Sequence, residues 1–335
     1  MDVNLDLTIL WAFLIAFSIY AYVVLDGFDL GIGILFPAIP VGKDRDQAMN
    51  SVAPVWDGNE TWLVLGGGGL FAAFPLAYAI LMPAFYPPII AMLLALVFRG
   101  VAFEFRWRDP GHRPFWDMAF TLGSLTAAFM QGVILGALLQ GVTIEGRAYA
   151  GGWWDWLTPF SVMTGVSVVA GYALLGACWL IWKTTGEVHD LARRYGWYAF
   201  VATLAAIVAV SVATLFLDYG YYAKWLDTPR VFYTAQVPIV TALIAFVFFR
   251  SMKRGSDWMP FALAQALFLV TLAGLGISIY PYAVPVSVTI WEAAAPEKSQ
   301  IFMLVGAGIL IPVILAYTVY AYWVFRGKVS AEGYH

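Results

Sequence analysis

The chain has 335 residues, of which 62% are hydrophobic and only 12% charged, with a formal net charge of −3. Soluble domains carry about twice that share of charge, so a soluble globular fold is excluded, and the weak negative balance offers no basic surface for nucleic acid. The single cysteine, Cys178, excludes an internal disulfide and a Cys-x-x-Cys metal site.

Apolar runs of about 20 residues recur from end to end, which predicts an all-α polytopic membrane protein. Nine spans are expected. The first covers residues 7–25 and continues through an acidic patch toward Pro37. The start before it, residues 1–6, lacks Lys and Arg and no small-residue cleavage site follows, so the run reads as a retained span rather than a cleaved signal. The second span is expected over residues 51–78 and the third over 80–105. Residues 115–140 and 159–183 follow, then 197–217, 231–249, 258–280 and 301–325, with a short polar tail over 326–335. No soluble domain is inserted, so residues 1–335 read as one transmembrane domain. The loops on one side hold thirteen of the 18 Lys and Arg residues, the other side holds Arg147, Lys224, Arg230 and Lys298, and Arg99 falls inside a span. That asymmetry puts the N-terminus outside and the C-terminus in the cytoplasm.

Three polar patches interrupt the first three spans: Asp26 with Asp29; Asp57, Asn59 and Glu60 between Trp56 and Trp62; and Arg99 with Glu104. A charged side chain at mid-span costs about 2.5–3.5 kcal/mol, so each is a functional candidate. The predicted orientation brings all three patches to the cytoplasmic leaflet. That suits either proton access or a buried ion-pair cluster. Asp57 reads equally as a proton-relay carboxylate and as a structural one bonded to backbone or to Arg99. Glu60, three residues on, shares nearly the same helix face, and two neighbouring carboxylates favour a shared proton. Asp26 and Asp29 read first as partners for Arg99, or as an Asp-Gly cap or kink. Glu104 and Arg106 read as snorkelling groups.

Trp56 and Trp62 are six residues apart and point to different sides of a helix. The glycines at 66–69 read as close helix packing. Trp153, Trp154 and Trp156 read as an outer aromatic belt. Tyr280-Pro281-Tyr282 with Trp291 reads as an outer lid or subunit contact. Met92, Met130 and Met163 read as packing. His112, His189 and His335 all fall outside the spans, so this chain lacks the helix-held axial histidine that most membrane hemes use.

Two runs carry a family resemblance. Asp26-Gly27-Phe28-Asp29-Leu30-Gly31 and Ser51-Val52-Ala53-Pro54-Val55-Trp56-Asp57-Gly58-Asn59-Glu60-Thr61-Trp62-Leu63 resemble subunit II of cytochrome bd quinol oxidases, including the cyanide-insensitive subclass. Phe98-Arg99, Phe103-Glu104-Phe105-Arg106, Leu139-Gln140-Gly141-Val142, Thr185-Gly186-Glu187-Val188-His189, Tyr280-Pro281 and Trp291 extend it, in order, along essentially the whole chain.

The resemblance implies two four-helix bundles plus one peripheral helix in a bacterial inner membrane. It implies an obligate partner, subunit I, which carries the axial ligands of hemes b and heme d and the quinol-oxidising loop, and it leaves room for a small accessory subunit, bound quinone and membrane lipids. The implied complex is a terminal oxidase that oxidises quinol, reduces O2 to water and takes protons from the cytoplasm without pumping. Carried onto this sequence, Asp57 matches the carboxylate at the mouth of a proton channel, with Glu60 beside it. Trp62 matches an aromatic beside an oxygen route. Asp29 and Arg99 match positions tied to heme-site integrity, through the partner or a heme propionate, and Asp26 and Trp56 group with them as heme-site support or subunit contact. A proton-coupled secondary transporter is the alternative from another class. Such folds repeat polar breaks in both halves, whereas the charges here cluster in the first three spans. A structural scaffold for a partner is the third reading.

Overall fold

The computed structural model describes residues 6–217 and 220–329. The acidic start before Asp6 and the end of the polar tail, His335 included, lie outside the described residues. Helix α1 (Leu7–Leu35) begins where the Asp6 carboxylate accepts the N–H groups of Thr8 and Ile9, a cap that satisfies two otherwise unpaired donors. It runs unbroken through the acidic patch and ends in a tight turn at Phe36–Ala38, which contains Pro37. A short α2 (Lys43–Asn50) follows.

The second expected span differs from the structure. It divides into α3 (Trp56–Ala73) and α4 (Pro75–Ala84), broken at Phe74, so that the next long helix, α5 (Tyr86–Arg108), starts six residues later than predicted. Pro75 has no N–H to donate and disfavours helical backbone in the residue before it, and Phe74 accordingly sits at φ −129°, ψ 62°.

Helix α6 (Arg113–Leu139) leads through a two-stranded hairpin, β1 (Ile144–Glu145) and β2 (Ala148–Tyr149), to α7 (Pro159–Lys183), whose start is fixed by a Thr158–Ser161 capping box. Helix α8 (Glu187–Thr214) begins ten residues before the predicted 197, because its first turns are polar and stand clear of the apolar run. The short α9 (Tyr221–Leu226) and α10 (Val231–Thr234) precede α11 (Gln236–Lys253) and α12 (Met259–Ile279). A second hairpin, β3 (Tyr282–Val284) with β4 (Val288–Thr289), leads to α13 (Ile290–Ala293) and the long α14 (Glu297–Val324).

Among the described residues, eight helices are long and apolar enough to cross a membrane. Helix α3 fills the place of the second expected span, but Asp57, Asn59 and Glu60 make its start too polar to join them. The helices group as α1, α3, α5 and α6 against α7, α8, α11 and α12, with α14 at the periphery beside α1 and α3. Helix α7 is the axle: 72% of its apolar window is buried, against 0% for α14. Its contact with α1 runs through glycine. A Cβ on Gly31 would lie 1.8 Å from the Tyr172 carbonyl oxygen, and one on Gly176 would lie 2.4 Å from the Gly31 carbonyl carbon. Only glycine lets the two backbones approach this closely.

Candidate functional site

The glycine contact sets the rotation of α1 about its axis. With Gly27 and Gly31 turned to α7, the acidic residues of the same run, three apart and therefore on one face, turn toward α3 and α5. There α5 supplies Arg99. Its Nη2 lies 2.7 Å from Asp26 Oδ1 and 3.6 Å from Asp29 Oδ2, and all three side chains are 0% exposed. Opposite charges at these distances hold the triad together. Burying such a group is costly, and mutual attraction offsets the cost only while all partners stay in place.

Other helices close the triad off. Asn59 of α3 donates its amide to Asp29 Oδ2 at 2.8 Å and to the Leu25 carbonyl at 3.3 Å. The Tyr322 hydroxyl of α14 donates to Asn59 Oδ1 at 2.8 Å. The Arg99 guanidinium stands 5.9 Å from the Trp56 ring and 5.8 Å from the Phe103 ring, and those two rings stack with centroids 4.8 Å apart. Helix α6 backs onto the α5 backbone at Gly123, where a Cβ would come 2.7 Å from the Ala95 carbonyl oxygen and 3.0 Å from the Arg99 backbone nitrogen. One turn before Asp26, a second polar line crosses the bundle. The Tyr172 hydroxyl donates to Gln131 at 2.6 Å, and the Gln131 amide donates to the Tyr22 hydroxyl at 2.7 Å.

The sequence-predicted residues separate into two groups. Asp26, Asp29, Arg99 and Trp56 come together. Asp26, Asp29 and Arg99 are buried within this chain and meet the other helices through Asn59 and Trp56. Asp57, by contrast, is exposed in the first turn of α3. The ion pairs of Arg99 are with Asp26 and Asp29, so the Asp57–Arg99 bond considered from sequence is not the arrangement. Glu60 is half-buried between the two, within electrostatic reach of Arg99, Asp26 and Asp57. Trp62 points away from Trp56: it is fully buried against α1, edge-on to Phe17 at 5.7 Å. The glycine run is two-sided. Gly66 and Gly69 face Ile19 and Ile15 of α1, whereas a Cβ on Gly67 or Gly68 would meet nothing within 4 Å.

Arg106 is a correction. It does not snorkel but is 1% exposed, with Nε 2.5 Å from Asp117 and Nη1 2.6 Å from Asp46. Arg45 joins at 2.7 Å from the other Asp117 oxygen. Glu104 is exposed and pairs with Arg108 at 3.3 Å. Asp46, Asp117 and Tyr322 were missed from sequence. Asp117 carried a usable signal, because it falls two residues inside a predicted span and the cost of an intramembrane carboxylate applies to it as to Asp57. On the opposite side of the molecule, the Trp291 indole donates to Asp6 at 2.8 Å. That bond holds the Asp6 carboxyl below its usual range and ties the second hairpin to the cap of α1.

Among the described residues, neither histidine lies in the apolar middle of a membrane-spanning helix. His112 pairs with Asp109 at 2.9 Å in a loop, His189 lies between Asp190 and Asp257, Cys178 is fully enclosed, and Met92 packs in the core.

A family model described as cytochrome bd terminal oxidase subunit II matches residues 7–325. Subunit 2 of the cytochrome bd-I ubiquinol oxidase of Escherichia coli (strain K12) is 30% identical, the match covering 97% of this chain and 96% of that protein. Cytochrome bd ubiquinol oxidase subunit 2 of Bacillus subtilis (strain 168) is 29% identical over 96% of each chain. Among solved structures, the bd oxidase from Geobacillus thermodenitrificans contains a chain of the same fold, with a TM-score of 0.76 at 16% identity, covering 95% of this chain and 99% of that one.

Proposed function

Since the chain belongs to the cytochrome bd terminal oxidase subunit II family, we propose that it works as one subunit of a heme-containing quinol:O2 oxidoreductase of the bacterial inner membrane, where it braces its partner and gives protons and oxygen access to the reaction. The axial ligands of hemes b and d then belong to the partner, subunit I. The want of a span-held imidazole in this chain supports that division. The whole chain acts as one transmembrane domain, with its N-terminus outside and its Lys/Arg-rich loops in the cytoplasm.

The observation that carries the proton part of this reading is the openness of Asp57. It shares the uncovered side of α3 with the exposed apolar side chains Val64 and Phe71, next to α14, which is unburied along its apolar window. Faces of that kind are covered by another protein or by lipid, and subunit I is the occupant this family supplies. A carboxylate at such a seam can exchange protons with the cytoplasmic side and pass them inward by way of Glu60. Trp62, buried where α3 meets α1, supports an oxygen route at that seam. The Asp26–Arg99–Asp29 triad positions these helices and has no proton-transfer role.

The test is affinity purification of this chain from its native membrane, with a reduced-minus-oxidised spectrum and a quinol-driven O2 uptake assay. A co-purifying membrane subunit, heme bands and O2 uptake are expected. A colourless, lone chain would overturn the reading and return the proton-coupled transporter to first place.

A further inference from the structure

At the Lys/Arg-rich end of the bundle, a cleft of about 360 Å³ lies between the turn at residues 37–42, the end of α5 and the first turns of α6. Three guanidinium groups line it, from Arg45, Arg106 and Arg113. The first two are matched by Asp117 and Asp46. Arg113 is not. It has no carboxylate within ion-pair distance and no hydrogen bond among the described residues, and its Nε is buried without a partner. Its guanidinium stands 5.6 Å from the Trp107 ring. Three guanidinium groups against two carboxylates leave one positive charge uncompensated at a helix start, where the backbone dipole also favours an anion.

The other wall of the cleft is apolar. Val41, Met118 and Leu122 line it and are exposed. Met118 and Leu122 are four residues apart on α6, so they form a stripe leading from the arginines along the helix toward its apolar middle. A free inorganic anion would use the arginines and leave that stripe bare. A molecule with an anionic head and an apolar tail uses both. Arginine also matches phosphate geometry well, through paired N–H donors.

We propose that this cleft binds an anionic phospholipid, with its phosphate on Arg113 beside Arg45 and an acyl chain along Met118 and Leu122. The site rests on the membrane placement of the chain and not on the oxidase reading, so it stands or falls separately. It would anchor the α5–α6 corner to the leaflet and set the depth of α5, and with it the depth of Arg99.

The test uses the intact purified complex in nanodiscs of phosphatidylcholine doped with phosphatidylglycerol, with tightly retained phosphatidylglycerol counted by native mass spectrometry. The wild-type complex should retain one more phosphatidylglycerol than Arg113→Gln, whose apparent affinity should fall about tenfold, the order expected for losing charge-assisted hydrogen bonds. Arg113→Lys, which keeps the charge but loses the paired donors, should bind between the wild type and Arg113→Gln. Leu122→Trp, which fills the acyl stripe and leaves every arginine in place, should also lose the lipid. An unchanged melting temperature shows that each variant is folded. Equal retention in wild type and Arg113→Gln would overturn the proposal. So would retention by Leu122→Trp, or displacement of phosphatidylglycerol by inorganic phosphate alone, which would make this a free-anion site.

Discussion

Two acidic sites share the first helices of the bundle and are built in opposite ways. Asp26 and Asp29 are closed in on every side, by Arg99 of α5, Asn59 of α3 and the backbone contact with α7. Asp57 stands on the open side of α3. The difference comes from helical phase. On α3 the buried positions are Asn59, Trp62, Gly66 and Ala73, spaced by three to seven residues along one stripe, and Asp57 lies off that stripe. Two residues of shift separate an amide that locks onto Asp29 from a carboxylate that faces out. A sealed charge in a membrane protein can hold helices in register but cannot exchange protons quickly. An open one can do the second and contributes little to the first.

Removing the cation should break this contrast most severely. Arg99→Met leaves two carboxylates buried without a partner, which costs about 3–5 kcal/mol, and the expected outcome is loss of assembled complex in membrane yield and thermal melting. Arg99→Met combined with Asp26→Leu and Asp29→Asn removes the uncompensated charge and should recover most of that yield. If Arg99→Met alone accumulates like wild type, the triad is no strut. A smaller effect is expected one bond out. Tyr322→Phe leaves the buried Asn59 oxygen without its donor and should cost about 1–3 kcal/mol, read as a lower melting temperature with the same spectrum.

The smallest effect lies outside the membrane. Burial raises the Asp257 carboxyl, but hydrogen bonds from Lys328 and His189 outweigh it, so its net position is below the ordinary 3.8. A depressed carboxyl contributes stability that is present above its unfolded value and is lost as pH falls through the folded one. Asp257→Asn should therefore lower the melting temperature slightly at neutral pH and make no difference once the pH is below the folded value. A deficit that persists unchanged in acid would show that the ion pair is not its source.

Much of this was legible in the sequence, for identifiable reasons. The Asp-Gly-Phe-Asp-Leu-Gly run declares itself because acids and glycines at helical spacing are out of place in an apolar stretch, and Arg99 is the one cation well inside a predicted span rather than at its end. Helix α4 was hidden, because residues 51–81 stay apolar after the polar start and hydropathy does not register a break in direction; Pro75 after Phe74 was the available sign. The start of α8 was hidden for the converse reason, since its first turns are helical without being apolar. The Arg106–Asp46–Asp117 network joins residues 60 and 11 positions apart in the chain across a turn, and Tyr322 meets Asn59 across 263 positions. Hydropathy reports depth, not partners, so neither pairing could be read. That Asp57 is open and Asp26 sealed was equally out of reach, because a sequence gives the face of a helix but not what covers it.

The division between the sealed triad and the open carboxylate is tested most directly by quinol-driven O2 uptake of the purified complex carrying Asp57→Asn. General acid–base groups typically contribute 10²–10⁴-fold to a rate, and a relay with Glu60 beside it to carry part of the flux should lose less than that. The expected result is turnover slowed by about tenfold or more, with heme content, absorption spectrum and melting temperature unchanged. Full turnover would contradict the proton role of Asp57. Slowed turnover accompanied by lost heme or a lowered melting temperature would place Asp57 with the triad as a structural charge.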